Sequence, residues 1–184
     1  MALARLAENG IHPPHEMPFL VPWTDRAGEP GFVAEFVDYH MQARAEWAPD
    51  DWRLLMGVWA DGHLAGVQGL EASGFAAART GETGSWLGRA FQGRGYGTEM
   101  RAAMLGLLFD GLGGETAMSG AIEGNVASAR VSEKLGYAKA GESVVSPRGT
   151  PVREQQYRLE SSSWRPPFPI GITGLGPCLP LFGR

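Results

Sequence analysis

Hydrophobic residues recur at helical spacing in the first quarter of the chain. Residues 2–8 are rich in helix formers and stop at Asn9-Gly10, which predicts a short helix. Apolar side chains over about 31–48 fall on one face and predict a second helix. Between them, five prolines over 11–30 exclude regular structure, although several large apolar residues there need burial. We therefore expect an ordered loop that packs on the body.

Continuous apolar runs then replace the helical spacing. The first two runs, 52–60 and 64–71, are joined by Asp61-Gly62, which predicts a hairpin. Further along the chain, the pattern predicts a strand over 82–87, a helix capped by Thr98, a strand over 116–122, a helix from Asn125 to Gly136, and strands over 137–145 and 152–159. The strand–helix–strand unit implies one parallel pair. The predicted fold is α/β (α+β), with a central mixed, mostly antiparallel sheet flanked by helices.

Composition narrows the class of protein. A chain of 184 residues with 43% hydrophobic and 20% charged residues is a globular protein of about one domain. The formal charge of −4 argues against a nucleic-acid partner. The one cysteine, Cys178, forms no internal disulfide and builds no metal site alone. Without a long apolar run or a signal peptide, we expect a cytoplasmic protein with no membrane partner.

The chain divides into a main domain and a C-terminal tail. We expect residues 1–160 to form the domain. Residues 161–184 are rich in proline and glycine but not polar, so we expect this tail to lie against the domain.

A glycine-rich segment, QGRGYGT at 92–98, lies between a predicted strand and a predicted helix. Alternate glycines let backbone N–H groups converge on an anion, and the start of the helix adds partial positive charge. Arg94 and Arg89 carry full charges, so a diphosphate is the natural ligand; a glycine-rich turn without a ligand is the alternative. A Walker loop is excluded because no Gly-Lys-Ser/Thr follows. A dinucleotide fingerprint is disfavoured because the spacing is G-x-G-x-G and Glu115 precedes its strand.

Three motifs in order resemble one family. Gln92, Gly95 and Gly97 fill the pattern Q/R-x-x-G-x-G/A, and the helix at 125–137 carries N-x-x-S followed by E-K-L-G-Y. The strand at 82–88 resembles E-x-G-Y-W-L, with Ser85 in the usual aromatic position. Over about 52–159 the chain therefore resembles the GNAT N-acetyltransferases, in the branch of the ribosomal-protein N-terminal acetyltransferases. The resemblance implies a GNAT-like sheet whose parallel pair surrounds the acyl-CoA loop.

The resemblance implies acetyl-CoA as co-substrate and an amine as acceptor. The backbone amides of 93–98 would bind the pyrophosphate, 86–88 would pair with the pantetheine arm, and Asn125 would bind its amides. As a helix N-cap, Asn125 also has a purely structural interpretation. The residues expected to bind the cofactor are Trp86, Leu87, Gly88, Gln92, Gly93, Arg94, Gly95, Tyr96, Gly97, Thr98 and Asn125.

The same resemblance implies direct attack of the amine on the thioester in a ternary complex. Glu82 is the first candidate for the base and Glu71 the second; a surface charge is the structural alternative for Glu82. Ser128 is expected to assist the leaving thiolate; the alternative is that it is a helical serine without a role in the reaction. Tyr137 is a weaker candidate acid, since an aromatic residue after Leu-Gly usually packs in a core.

The acceptor amine stays open between a protein N-terminus and a small molecule. Residues of the first loop are expected to form an acidic and aromatic pocket for it: His12, His15, Glu16, Trp23 and Asp25. A non-catalytic acyl-CoA-binding regulatory module is the second hypothesis, and an NAD-dependent oxidoreductase is a distant third.

One departure from the family pattern concerns the first strand. The family begins with a strand, whereas this chain begins in what resembles the first helix. Either translation starts upstream, or 52–60 forms a sheet edge that pairs with a second copy or with the tail at 170–181.

Overall fold

The computed structural model describes residues 1–184. Its helices are α1 (Ala2–Glu8), α2 (Phe32–Ala45), α3 (Phe75–Ala78), α4 (Tyr96–Gly106) and α5 (Val126–Lys134). Its strands are β1 (Trp52–Ala60), β2 (His63–Ala72), β3 (Thr80–Leu87), β4 (Thr116–Ile122), β5 (Ala138–Val145) and β6 (Val152–Glu160). None of the helices combines the length and the apolar character needed to cross a bilayer.

The six strands form one sheet in the order β1-β2-β3-β4-β6-β5. Only β3 and β4 run parallel, and every other neighbouring pair is antiparallel. Helices α1 and α2 cover one face, while α4 and α5 cover the other. The predicted mixed α/β fold is therefore confirmed, and a sheet with a single parallel pair excludes the doubly wound arrangement of a dinucleotide-binding protein.

The parallel pair separates soon after it forms. Pairing between β3 and β4 covers three positions, from Thr80↔Thr116 to Glu82↔Met118. In contrast, β3 stays paired with β2 as far as Leu87, and β4 stays paired with β6 as far as Ile122. The two strands therefore diverge toward their C-terminal ends, and a cleft opens in the middle of the sheet.

The main core lies between the sheet and α4. Leu70 of β2, Leu105 of α4 and Leu108 of the turn that follows α4 are fully buried, and each such side chain contributes about 1.5–3 kcal/mol of hydrophobic stabilisation. Gly81 allows this packing, since a Cβ there would lie 2.8 Å from Leu70 Cδ1 and 3.1 Å from Leu108 Cδ1. β3 thus needs glycine at the position where these two leucine side chains pack against its backbone.

The tail, residues 161–184, contributes two aromatic side chains to the main core. Trp164 and Phe182 are buried, and the ring of Phe182 lies edge-on to those of Trp47 and Trp52. The indole N–H of Trp47 also donates to the carbonyl of Leu181 at 2.7 Å. No backbone hydrogen bond joins the tail to β1, so the outer edge of β1 has no strand partner.

Two local features differ from the sequence expectations. Thr98 is not a helix cap, because α4 begins at Tyr96 and its N-cap is Gly95, with a φ of 92° that favours glycine. The short helix α3 was not predicted from its four residues. The helix that begins as α4 also ends in a wider π turn, in which the Leu112 N–H donates to Leu107 O at 2.9 Å.

Candidate active site

The loop before α4 presents consecutive backbone N–H groups. The amides of residues 93–97 donate to no acceptor within the protein, whereas the amide of Thr98 already donates to Gly95 O at 2.9 Å. The side chain of Gln92 fixes the loop by donating to Leu87 O at 2.7 Å and to Ile11 O at 2.6 Å. Five free donors at the start of a helix form an anion-binding loop of the kind that holds a diphosphate.

The charged side chain in this loop points elsewhere. Arg94 Nη2 lies 3.1 Å from Asp61 Oδ2, and its guanidinium stacks 5.0 Å from the ring centre of Tyr96. The Tyr96 hydroxyl donates to the same carboxylate. Arg94 and Tyr96 therefore brace the loop against the β1–β2 turn, and the guanidinium of Arg94 is engaged by Asp61 in this conformation. The backbone amides of both residues still belong to the five free donors of the loop.

The cleft between β3 and β4 extends from this loop into the sheet. It has a volume of about 330 Å³. One side is formed by Trp86 and Leu87 of β3, and the other by Gly120 of β4 and by Asn125 and Ser128. Beyond Glu82, β3 has no ladder partner on this side. An extended chain such as a pantetheine arm fits a gap of this kind because its amides can take the place of a strand.

Asn125 and Ser128 occupy the first turn of α5, beside the cleft. Asn125 Oδ1 accepts from the Ser128 amide at 3.1 Å and so caps the helix. Its amide nitrogen has only a long contact of 3.5 Å with Pro18 O. Ser128 is half-buried, and its hydroxyl lies 3.4 Å from Arg101 Nη2 and 3.5 Å from Gly120 O. Both side chains thus retain hydrogen-bonding capacity toward the cleft.

Tyr137, the weaker candidate acid, lies in the core. Its ring is 5% exposed, and its hydroxyl is 3.2 Å from Thr83 Oγ1. Burial raises the pKa of Tyr137 above its ordinary value. It does not line the cleft, which agrees with the expectation that this aromatic side chain packs internally.

Glu82 lies at the point where β3 and β4 separate. Its side chain remains exposed, yet the surrounding protein removes enough water to raise the pKa of Glu82, and the charges of Glu71 and Glu154 raise it further. Glu71 is its neighbour across the β2–β3 ladder and forms an ion pair with Arg53 at 3.4 Å. The second candidate base is therefore already neutralised in part, while Glu82 has no cationic partner.

An acidic cavity of about 600 Å³ lies on the α2 face of the sheet. Four carboxylates and one guanidinium line it: Glu46, Asp51, Glu71, Glu82 and Arg53. The excess of carboxylates favours a cationic guest. Because Glu82 also lines the cleft between β3 and β4, the acidic cavity and this cleft meet at Glu82.

An aromatic pocket of about 350 Å³ lies next to the acidic cavity. Trp23 packs there against Phe32, Phe36 and Trp86, with ring centres 5.7–6.3 Å apart. Glu71 lines both cavities. Sequence reasoning missed the polar residues of this pocket, Glu35, Tyr39 and His40, although they lie on the same helix as the predicted apolar face.

The five loop residues expected to form the acceptor pocket do not come together. Trp23 lines the aromatic pocket, whereas His12 and Glu16 line the cleft between β3 and β4. Asp25 is held by Arg148 of the β5–β6 turn, and this ion pair lowers the pKa of Asp25. His15 is exposed and contacts only Glu16, at 3.8 Å. In place of the expected acidic and aromatic pocket, the structure has two neighbouring cavities, and their carboxylates come from the sheet, from α2 and from the segment between α2 and β1.

A loop with free backbone amides at the start of a helix, next to a gap between two parallel strands, is the arrangement expected of a protein that binds an acyl-CoA. Comparison with known families identifies the class further: the acetyltransferase (GNAT) domain matches residues 13–138, more than half of the chain. The chain belongs to this family, as the motifs predicted. It is an acetyl-CoA-dependent N-acetyltransferase.

Solved structures share the fold. RimJ of Mycobacterium smegmatis in complex with CoA-disulfide has a TM-score of 0.70 at 18% identity, over 88% of this chain and 77% of that one. The microcin C7 self-immunity acetyltransferase MccE, in complex with acetyl-CoA and AMP, has a TM-score of 0.60 at 19% identity, over 75% of each chain. A chimera of the spermidine N-acetyltransferase SpeG from Vibrio cholerae with hSSAT has a TM-score of 0.57 at 15% identity, over 86% of this chain and 89% of that one.

Proposed function

We propose that the protein transfers the acetyl group of acetyl-CoA to a primary amine by direct attack in a ternary complex, with Glu82 as the base. One observation carries the proposal: Glu82 is the carboxylate that lines both the cofactor cleft and the acidic cavity. A base that accepts the proton of the attacking amine must stand between the two substrates.

The environment of Glu82 suits this role. An amine of pKa about 8–10 is mostly protonated at neutral pH, so it must lose a proton before it attacks. Since the pKa of Glu82 is raised, its carboxylate is a stronger base than an ordinary glutamate. Glu82 accepts one proton from the ammonium, directly or through water, and the free amine nitrogen attacks the thioester carbon. The C–S bond breaks with its electron pair on sulfur, and the second proton released from the nitrogen neutralises the thiolate.

The cofactor contacts belong to the same proposal. The free amides of 93–97 would hold the diphosphate, the open side of β3 would pair with the pantetheine arm, and Asn125 and Ser128 would face its far end. In this arrangement, acetyl-CoA supplies the activated acyl group, and the protein supplies its orientation and the base.

The acceptor site we propose is the acidic cavity with the aromatic pocket beside it. The carboxylates would draw in a cationic amine, and the aromatic rings would take an apolar part of the same molecule. A protein N-terminus and a small amine both meet this description. A cytoplasmic location, expected from the sequence, and a homodimer, one of the alternatives that the sequence leaves open for the edge at 52–60, complete the proposal.

The test is release of CoA from acetyl-CoA, followed with a thiol reagent. The panel contains spermidine, simple diamines, and peptides with free N-termini of different first residues; N-terminally blocked, lysine-free peptides are the matched controls. We expect release with at least one free amine and none with its blocked counterpart. Tight binding of acetyl-CoA without release for any amine would instead favour the regulatory module.

A further inference from the structure

Arg101 is a buried cation without an anionic partner. It lies on α4, is 3% exposed, and forms no ion pair with any carboxylate. Its Nη1 donates to Ser132 Oγ at 2.8 Å, its Nη2 lies 3.4 Å from Ser128 Oγ, and its Nε has no acceptor. A lone guanidinium in such a place is costly, and an apolar side chain would pack there at less cost. The structure gives no stabilising reason for an arginine at this position.

The cofactor cleft supplies a functional reason. Arg101 is the only arginine or lysine that lines it. The other titratable groups along the cleft are His12, Glu16, Glu82 and Glu154, and Tyr137 lies close behind Arg101. The charged side chains that line the cleft are therefore carboxylates, except at Arg101, whose guanidinium lies beside the hydroxyl of Ser128. An anion that formed beside Ser128 would meet the one permanent positive charge in the cleft.

Acetyl transfer creates such an anion. When the C–S bond breaks, the electron pair stays on the CoA sulfur, and the thiolate needs a hydrogen-bond donor or a positive charge nearby. The Ser128 hydroxyl has no strong acceptor in the protein, because Gly120 O lies at the limit of 3.5 Å. With Arg101 donating to its oxygen, Ser128 is free to turn its own proton toward the sulfur.

We propose that Arg101 is a positioning residue for thiolate departure, which orients and polarises Ser128 and balances the negative charge on the sulfur of CoA. The proposal rests on the proposed transfer reaction. Its direct consequence is that the thiol of bound CoA ionises more readily than the thiol of free CoA. This property can be measured without any acceptor amine, so it does not depend on the identity of the substrate.

The experiment titrates CoA bound to the whole protein and follows the ultraviolet absorbance of the thiolate. Three proteins are compared: the wild type, Arg101→Met, which removes the charge and keeps an unbranched apolar side chain that is shorter than arginine, and Arg101→Lys, which keeps the charge. In the Met variant we expect the pKa of the bound thiol to rise by about one unit, a tenfold loss of thiolate at a given pH. The Lys variant should recover part of this shift.

Equal thiol pKa values in the wild type and the Met variant would overturn the proposal. Should the Met variant fail to fold, Ser128→Ala takes its place, because it removes the group through which Arg101 acts. An unchanged thiol pKa in that variant would also overturn the proposal. A panel of amines that releases no CoA, together with a thiol pKa that depends on Arg101, would refute the proposed transfer reaction and with it a role in thiolate departure, while the effect of Arg101 on the ionisation of bound CoA would stand.

Discussion

The proposed base, Glu82, is held in an environment that disfavours its charged form. Its raised pKa means that ionisation at neutral pH costs folding free energy, and this cost appears as the pH rises through the raised pKa. Glu82→Gln should therefore leave the thermal midpoint at pH 7–8 equal to or above that of the wild type, and the difference should vanish in acid. The rate of acetyl transfer should fall by about 100-fold at neutral pH and recover partly at high pH, where free amine is abundant.

Glu71→Gln is the matched control, since it removes the carboxylate across the ladder and leaves Glu82 in place. We expect a smaller loss of kcat and a shift of the acid limb of the rate profile to lower pH, because one repelling charge beside Glu82 is gone. Wild-type rates for Glu82→Gln at every pH, with a large loss for Glu71→Gln, would transfer the role of base to Glu71.

The sequence was informative about single residues where a motif specifies local geometry. Gln92, Gly95, Asn125 and Ser128 stand along one loop and one cleft, as the motif order predicts. The sequence did not predict ion pairs between residues that are far apart along the chain. The Asp61 carboxylate that binds Arg94 lies 33 residues from it, and the Arg148 partner of Asp25 lies 123 residues from it. No spacing rule predicts contacts of that separation.

The loop that we propose to bind the diphosphate depends on one backbone conformation. Gly95 caps α4 with a φ of 92°, which costs a residue with a side chain about 1–2 kcal/mol or more. Gly95→Val should shift the loop amides and abolish acetyl-CoA binding measured by calorimetry, while the far-ultraviolet spectrum stays unchanged.

The control for the loop is Gly97→Ala. Gly97 has no positive φ, and its added Cβ would make ordinary contacts at 3.5 Å from Val131 Cγ2 and 4.0 Å from Leu87 Cδ1. We expect near wild-type affinity. Unchanged binding in Gly95→Val would sink the assignment of the loop to the diphosphate.

The tail acts as a structural element through Phe182. This ring is 6% exposed among Trp47 and Trp52, so Phe182→Ala should cost about 3 kcal/mol and lower the thermal midpoint by about 10 °C. Leu181, whose side chain is 55% exposed, is the neighbouring control, and Leu181→Ala should change stability by less than about 0.5 kcal/mol. A tail that contributes nothing to the fold would give two indistinguishable melting curves.

Whole elements were predicted well where periodicity or turn chemistry was strong, as in the β1–β2 hairpin and α5. The start of α4 was misplaced at Thr98 because a threonine is a common cap, whereas the structure uses a left-handed glycine three residues earlier. The four residues of α3 carry no periodic signal at that length. The path of the tail depends on long-range packing of Trp164 and Phe182, which composition does not encode.

At the scale of the whole molecule, the free edge of β1 predicts self-association. β1 pairs with β2 along one side only, and Met56 and Trp59 are 48% and 69% exposed. An exposed apolar edge favours pairing with a second copy. Sedimentation velocity should show a concentration-dependent dimer that Met56→Lys weakens. A wild-type protein that sediments as a monomer at its highest attainable concentration would contradict this prediction.

The early separation of β3 from β4 also makes the sheet two half-sheets joined by three residue pairs. A cofactor arm bound in that gap would connect the two half-sheets, and acetyl-CoA would stabilise the folded protein by an amount that grows with the logarithm of its concentration relative to its dissociation constant. The protein's resistance to unfolding and proteolysis would then follow the supply of its own co-substrate. A cell with abundant acetyl-CoA would keep the enzyme longer, and one in shortage would lose it sooner.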